Sequence, residues 1–216
     1  MARTEKRVGV TVAGIAAGIA YAGPLRRWMR TWGATAEELA RPLAGDDILT
    51  GGEVEQTTRA IGIAAPPEAI WPWLVQMGDR RAGFYAGEAF FRLLRVQHGR
   101  SAERIAPELQ ELRAGDEIPA GWTGFKVRRL EPNRTLVLSR SGSGYEYTWA
   151  LALEPGAGGM TRLLSRSRYR GSRAIALLAE PIVFSMMRRW LGSVKERAER
   201  GVRPRTGAGA EGSAHA

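Results

Sequence analysis

Residues 181–200, PIVFSMMRRWLGSVKERAER, carry the strongest helical pattern in the chain. Their apolar residues recur at steps of three or four: Phe184, Met187, Leu191, Val194 and Ala198. This spacing places them on one face of a helix, with charged residues on the other. Because Pro181 suits the first turn of a helix, we predict a long helix from Pro181 to Arg200. Its apolar face needs a partner surface.

The sequence before this helix supplies such a surface. Every second residue of one stretch is large and apolar, so these residues share one face of a β-strand: Tyr145, Tyr147, Trp149, Leu151 and Leu153. Further strands are predicted at residues 54–63, 121–130, 134–139 and 160–169. Short, glycine-rich spacings favour hairpins and antiparallel pairing. We therefore predict an α+β fold, in which the long C-terminal helix packs across an antiparallel sheet.

The N-terminal region contains an uncharged stretch, Val8–Ala22, with the sequence VGVTVAGIAAGIAYA. Extended through Leu25 it reaches 18 residues, the lower limit for crossing a bilayer, and basic residues flank both ends. We predict that Val8–Leu25 is an N-terminal apolar helix and a single-pass membrane anchor, with the domain in the cytoplasm. Two alternatives stay open: a signal peptide cleaved near Ala22 before export, and a small-residue helix buried against the domain.

These patterns divide the chain into four parts. Residues 1–30 form the apolar segment, and residues 31–53 form a linker with a short helix that begins at a capping box, Thr35–Glu38. Residues 54–200 form the folded domain. Residues 201–216 show no apolar periodicity and are predicted to be a disordered tail.

A family resemblance supports this layout. Residues 63–78, IAAPPEAIWPWLVQMG, resemble the SRPBCC (START-like, helix-grip) superfamily, and most closely its bacterial polyketide-cyclase/dehydrase-like branch. Shorter stretches extend the likeness over about residues 31–200: 81–85, 105–110, 115–116, 149–153 and 161–166. The resemblance implies a curved antiparallel sheet wrapped around a C-terminal helix. Members of the superfamily bind lipids, sterols, polyketides or plant hormones, and others act in ring oxidation, cyclisation or stress response.

The same resemblance implies a cavity between the sheet and the C-terminal helix. We predict that it binds a hydrophobic small molecule or a lipid. The candidate lining residues are Trp73, Met77, Phe84, Tyr85, Phe90, Trp149, Arg166, Phe184 and Met187. Large apolar side chains of this kind are equally compatible with plain core packing. Arg166 could anchor a carboxylate or phosphate from the cavity wall, or lie on the outer face of the sheet in solvent.

Catalytic chemistry has little support in the sequence. The chain has no cysteine, and its two histidines, His98 and His215, lie far apart. This composition disfavours a thiol nucleophile, a catalytic triad and a metal site, so we predict no catalytic residue, no metal and no cofactor. A cyclase/dehydrase-type enzyme that uses Tyr85, Glu108 or an arginine stays the alternative.

The charge balance suggests a third function. The formal net charge is +10, and arginine supplies nearly all of the positive charge. A basic surface could dock on anionic lipid or on nucleic acid. No nucleic-acid-binding motif accompanies the charge, so we expect no specific nucleic acid partner and interpret the arginines as a solvated face. The sequence leaves the oligomeric state open.

Overall fold

The computed structural model describes residues 21–86, 101–121 and 123–202. The strands in these ranges are β1 (Glu55–Ile63), β2 (Glu117–Ile118), β3 (Phe125–Glu131), β4 (Thr135–Gly142), β5 (Tyr145–Pro155) and β6 (Thr161–Arg170). The α-helices are α1 (Arg26–Thr31), α2 (Ala36–Ala40), α3 (Pro67–Val75) and α4 (Arg173–Val202). A π-helical turn at Tyr21–Leu25 precedes α1, and 3-10 turns lie at Pro107–Leu109 and Ala157–Gly159.

The six strands form one curved antiparallel sheet in the order β1-β6-β5-β4-β3-β2. The alternation predicted for residues 145–153 lies in β5, the longest strand, which pairs with β4 and β6. A register shift between Val127 and Arg129 bends the pairing of β3 with β4. The predicted α+β class, with a long C-terminal helix against an antiparallel sheet, is confirmed.

The helix α4 begins eight residues before the predicted start, at Arg173. Pro181 therefore lies inside the helix rather than in its first turn. A proline there has no N–H to donate to the carbonyl four residues earlier, which belongs to Leu177. The hydroxyl of Tyr21 donates to that carbonyl instead. A side chain 156 positions away thus compensates for the missing helical hydrogen bond.

The inner face of the sheet packs on the second half of α4. Trp190 and Leu191 are buried there together with Trp149 and Leu151 of β5. The rings of Trp149 and Trp190 meet with their centroids 5.1 Å apart. The helix α3 joins the same core through its apolar face. Burial of these apolar side chains is the main contribution that stabilises the packing of the sheet against α4.

The outer face of the sheet is also covered. Ala60, Ala152 and Leu164 form a second buried cluster there, against Ala34 and Leu43. Residues 31–49 lie over this face, and the predicted capping box of Thr35 and Glu38 is present at the start of α2. The same carboxylate of Glu38 also binds Arg162 of β6 at 2.9 Å.

The predicted N-terminal anchor is overturned. Within the described ranges, no helix combines the length and the apolar character that a membrane crossing requires. Only the last five residues of the predicted anchor, Tyr21–Leu25, are among the described residues, and they form the π-helical turn that leads into α1. Residues 1–20 lie outside the described ranges. The arginines predicted to flank the membrane are used by the fold, because Arg26 and Arg30 each approach the Glu55 carboxylate to 2.6 Å. Cleavage near Ala22 would remove Tyr21 and its bond to α4.

Candidate ligand-binding cavity

A cavity of about 210 Å³ lies between the first half of α4 and the inner face of the sheet. The helix contributes Ile175, Ala176, Ala179, Glu180 and Val183. The sheet contributes Glu55, Thr57, Arg140, Tyr147, Ser167 and Tyr169. A second space of about 250 Å³ adjoins it at the β4–β5 hairpin and shares four of these residues: Arg140, Tyr147, Tyr169 and Ile175.

The strand registers explain why these side chains meet. Arg140 of β4 pairs with Tyr147 of β5, and Tyr147 pairs in turn with Tyr169 of β6. Paired residues of neighbouring strands point to the same face, and successive residues alternate between faces. The inward series of β5 therefore continues from Trp149, which packs against α4, to Tyr147, which lines the cavity.

Two hydroxyl groups bond to each other in the wall. The oxygens of Tyr147 and Ser167 lie 2.7 Å apart, and either can donate. Burial raises the pKa of the Tyr147 hydroxyl above its ordinary value, although the Ser167 bond and nearby arginines oppose the shift. Tyr147 therefore keeps its proton at neutral pH and serves as a hydrogen-bonding group rather than as a base.

A buried ion pair closes one side of the cavity. The guanidinium of Arg59 lies 2.5 Å from the carboxylate of Glu180, and its Nε donates to the backbone oxygen of Met29 at 2.8 Å. Burial lowers the pKa of Arg59 below its ordinary value, and the charge of Glu180 opposes that shift. The pair joins β1 to α4, and removing one partner would leave an uncompensated buried charge.

Arg140 differs from the other arginines of this face. Its guanidinium carbon lies 4.8 Å from the ring centroid of Phe125 and 5.4 Å from that of Tyr147. Its Nε atom is buried and has no hydrogen-bond partner among the residues that the structure describes. Among the described residues, no carboxylate comes within ion-pairing distance of Arg140. A cation that contacts two rings and has no anionic partner among the described residues therefore borders both spaces.

The structure places most of the predicted lining residues in the packed core instead. Trp73, Met77, Tyr85, Trp149 and Met187 belong to one buried cluster, and Phe84 packs half-buried against it. Phe184 is buried beside α1, with its ring centroid 5.0 Å from that of Trp28. Phe90 lies outside the described residues. None of these described side chains borders the cavity.

Arg166 requires a correction, because it lies on the outer face of the sheet. It pairs with Ala150 of β5 and is only 2% exposed. Its guanidinium binds Asp46 at 2.7 Å and also donates to backbone oxygens of Glu38 and Arg41. The predicted alternative of a solvated side chain fails as well, since residues 38–46 cover it. Alternation showed which residues share a face but not which face the helix covers.

The sequence interpretation missed the polar side chains that the cavity does contain. Arg140 continues the inward alternation of Leu136 and Leu138 one step past the predicted end of its strand. That alternation was the available signal. Arg59 and Glu180 are 121 positions apart, and no local pattern predicts their pairing.

The described residues contain no group of three or more histidines, cysteines, aspartates or glutamates that could hold a metal ion. Both histidines lie outside the described ranges. Glu108, one candidate acid or base, is exposed in a 3-10 turn, and Tyr85 binds Gln76 at 3.1 Å within the core.

Ion pairing also bears on the proposed basic surface. Many described arginines bind carboxylates, including Arg129 with Asp47, Arg162 with Glu38 and Arg197 with Glu103. Paired arginines present less charge to an outside polyanion than the net charge suggests.

No family model and no curated protein matches this chain. Among solved structures, protein MLL2253 from Mesorhizobium loti is 17% identical, with a TM-score of 0.40 over 68% of this chain and 98% of its own. DynU16, from the dynemicin biosynthetic locus, is 15% identical, with a TM-score of 0.44 over 70% of this chain and 49% of its own. CalU16 from Micromonospora echinospora is 19% identical, with a TM-score of 0.35 over 69% of this chain and 87% of its own.

Likenesses this distant concern the fold alone and do not indicate what the chain binds. The helix-grip architecture implied by the resemblance to the SRPBCC superfamily is present in the described sheet and helix.

Proposed function

We propose that this protein binds a hydrophobic small molecule in the cavity between α4 and the sheet. The observation that supports this most is the composition of the walls. Ile175, Ala176, Ala179 and Val183 form an apolar helix side, and the rings of Tyr147 and Tyr169 face them. An apolar cavity with a few placed polar groups is the usual form of a small-molecule site.

The size of the cavity favours a compact ligand. The two adjoining spaces of about 210 and 250 Å³ share four lining residues. Small-molecule pockets commonly enclose roughly 300–1,000 Å³. A lipid with two long acyl chains needs more space than these two spaces provide, whereas a single short chain or a small ring system fits.

The polar groups favour binding over catalysis. Glu180 is paired with Arg59, and Tyr147 shares a hydrogen bond with Ser167. General acid–base catalysis needs a group that exchanges its proton near the working pH. The raised pKa of Tyr147 keeps its hydroxyl protonated at neutral pH, so the phenolate is not available as a general base. We therefore prefer a binding protein to the cyclase/dehydrase-type alternative.

Filling the cavity tests this proposal. We expect octan-1-ol to bind the full chain with a stoichiometry of one by isothermal titration calorimetry. The Ala179→Phe variant places a ring in the space and should weaken binding about tenfold or more. Ala174→Phe, an exposed position on the same helix, is the matched control and should bind like the parent protein. Equal affinity of both variants and the parent would contradict the proposal.

A further inference from the structure

We infer that the cavity selects ligands that carry one carboxylate beside an apolar body, and that Arg140 binds this carboxylate. The inference rests on the proposed function, because it names the chemical class of the ligand for the same cavity. Arg140 borders both adjoining spaces, so an anionic head beside it leaves either space for the apolar body.

The surroundings of Arg140 hold it ready for an anion. The rings of Phe125 and Tyr147 contact its guanidinium and restrict its position. Its Nε atom is buried, so the donors that a ligand can reach are the two terminal Nη nitrogens, which make no hydrogen bond to a described residue. A planar guanidinium with free donors matches the two oxygens of a carboxylate in a bidentate arrangement.

The charges around the cavity also favour an anion. The lining carboxylates are already paired: Glu180 with Arg59, and Glu55 with Arg26 and Arg30. Arg173 pairs with Glu53 at 3.0 Å and also lies 3.9 Å from the Glu55 carboxylate. Five arginines thus accompany three glutamates in this group, counting Arg140. The local charge is positive, which attracts an anionic ligand and repels a cationic one.

A second donor lies beside Arg140. When Ser167 donates to the oxygen of Tyr147, the phenolic proton is free to point toward a ligand. Because burial raises the pKa of Tyr147, this proton remains in place at neutral pH. One guanidinium and one hydroxyl suit the two oxygens of a carboxylate. Ile175, which is 62% exposed and borders both spaces, offers an apolar contact to the rest of the ligand.

Three probes of equal chain length test the inference: octanoate, octan-1-ol and octylammonium, each titrated calorimetrically into the full chain at pH 7. We expect octanoate to bind about tenfold or more tighter than octan-1-ol, and octylammonium to bind most weakly. The Arg140→Gln variant should abolish the preference for octanoate, so that octanoate and octan-1-ol bind with equal affinity. Arg134→Gln, an equal change of charge in the exposed turn between β3 and β4, should change the affinity of neither octanoate nor octan-1-ol.

The outcomes separate the inference from the function on which it rests. If octanoate binds no tighter than octan-1-ol, or if Arg140→Gln and Arg134→Gln have equal effects, carboxylate selection is overturned while binding in the cavity stands. If none of the probes binds, both are overturned. The order of the probes on the parent protein decides the question even where the Arg140→Gln variant does not fold.

Discussion

Arg59, Arg140 and Arg166 all project from the sheet, yet their surroundings differ. Arg166 is enclosed by backbone oxygens and Asp46 on the outer face, and Arg59 is paired with Glu180 on the inner face. Arg140 also points inward but contacts aromatic rings and no described carboxylate. Arg59 and Arg166 therefore stabilise the fold, and Arg140 is available to a ligand.

Arg166→Leu should destabilise the protein strongly without affecting the cavity. The change removes the buried guanidinium that donates to the backbone oxygens of Glu38 and Arg41 and to Asp46, although half-buried Asp46 keeps its bond from the Leu43 N–H. We expect a loss of roughly 3–5 kcal/mol in the free energy of unfolding, measured by urea denaturation. The half-buried Arg168 serves as the control, and Arg168→Leu should cost less. A loss of octan-1-ol affinity in folded Arg166→Leu protein would contradict the outer-face assignment.

Tyr85 should make the protein sensitive to alkaline pH. Burial raises the pKa of its hydroxyl from 10.0 to about 12. The unfolded chain loses this proton near pH 10 and the folded chain retains it, so stability is full below pH 10 and falls as the pH rises toward 12. The loss should amount to about 3 kcal/mol.

Unfolding free energies measured between pH 9 and 12 check this prediction. This range begins about one unit below the ordinary pKa of tyrosine and ends at the raised pKa of Tyr85. The Tyr85→Phe variant removes the titrating hydroxyl and should show a shallower decline over the same range. Identical pH slopes for the two proteins would show that Tyr85 titrates normally.

At the scale of elements, α4 begins before the residue that its own sequence favours as a start, and a distant side chain supplies a hydrogen bond that Pro181 cannot make. Pro181 is a good first-turn residue, and the sequence alone favours a helix start there. In the structure the helix starts at Arg173, with the N–H of Ala176 bonded to the backbone oxygen of Ser172 at 3.0 Å. Tyr21 satisfies the carbonyl that Pro181 leaves free. No periodicity in residues 173–202 could indicate that contact.

Tyr21→Phe should therefore destabilise the protein mainly where Pro181 is present. We expect a loss of about 1 kcal/mol in the free energy of unfolding, because the carbonyl of Leu177 loses its donor. In a Pro181→Ala background the new N–H bonds that carbonyl, and the same change at Tyr21 should cost much less. A double-mutant cycle by chemical denaturation gives the coupling. Equal costs in both backgrounds would remove Tyr21 from this role.

The strands were more predictable than the cavity for a physical reason. Alternation in β5 depends on residues next to one another in sequence, so Tyr145–Leu153 was assigned correctly as one face of a strand. Which large residues fill space and which border it depends on packing between elements. Trp190, absent from the predicted set, packs on Trp149 and fills the centre of the grip.

At the scale of the whole molecule, different segments cover the two faces of the sheet, and the cavity lies on the inner face. Residues 31–49 cover the outer face and bind its arginines. The second half of α4 fills the inner face, while its first half leaves a space bordered by small side chains, Ala176 and Ala179. The cavity thus lies where small residues of the helix meet large residues of the sheet. The resemblance implied a cavity in this layer, but its position along the helix came from the structure.

The most direct test of this account is to locate a bound ligand by NMR. Methyl-labelled full-length protein with octan-1-ol should give intermolecular NOEs to methyl groups of Ile175, Ala176, Ala179 and Val183, which border the cavity. Methyl groups deep in the core, such as those of Leu151 and Leu191, should give none. NOEs confined to methyl groups away from the cavity, or none at all under saturating ligand, would contradict the central claim.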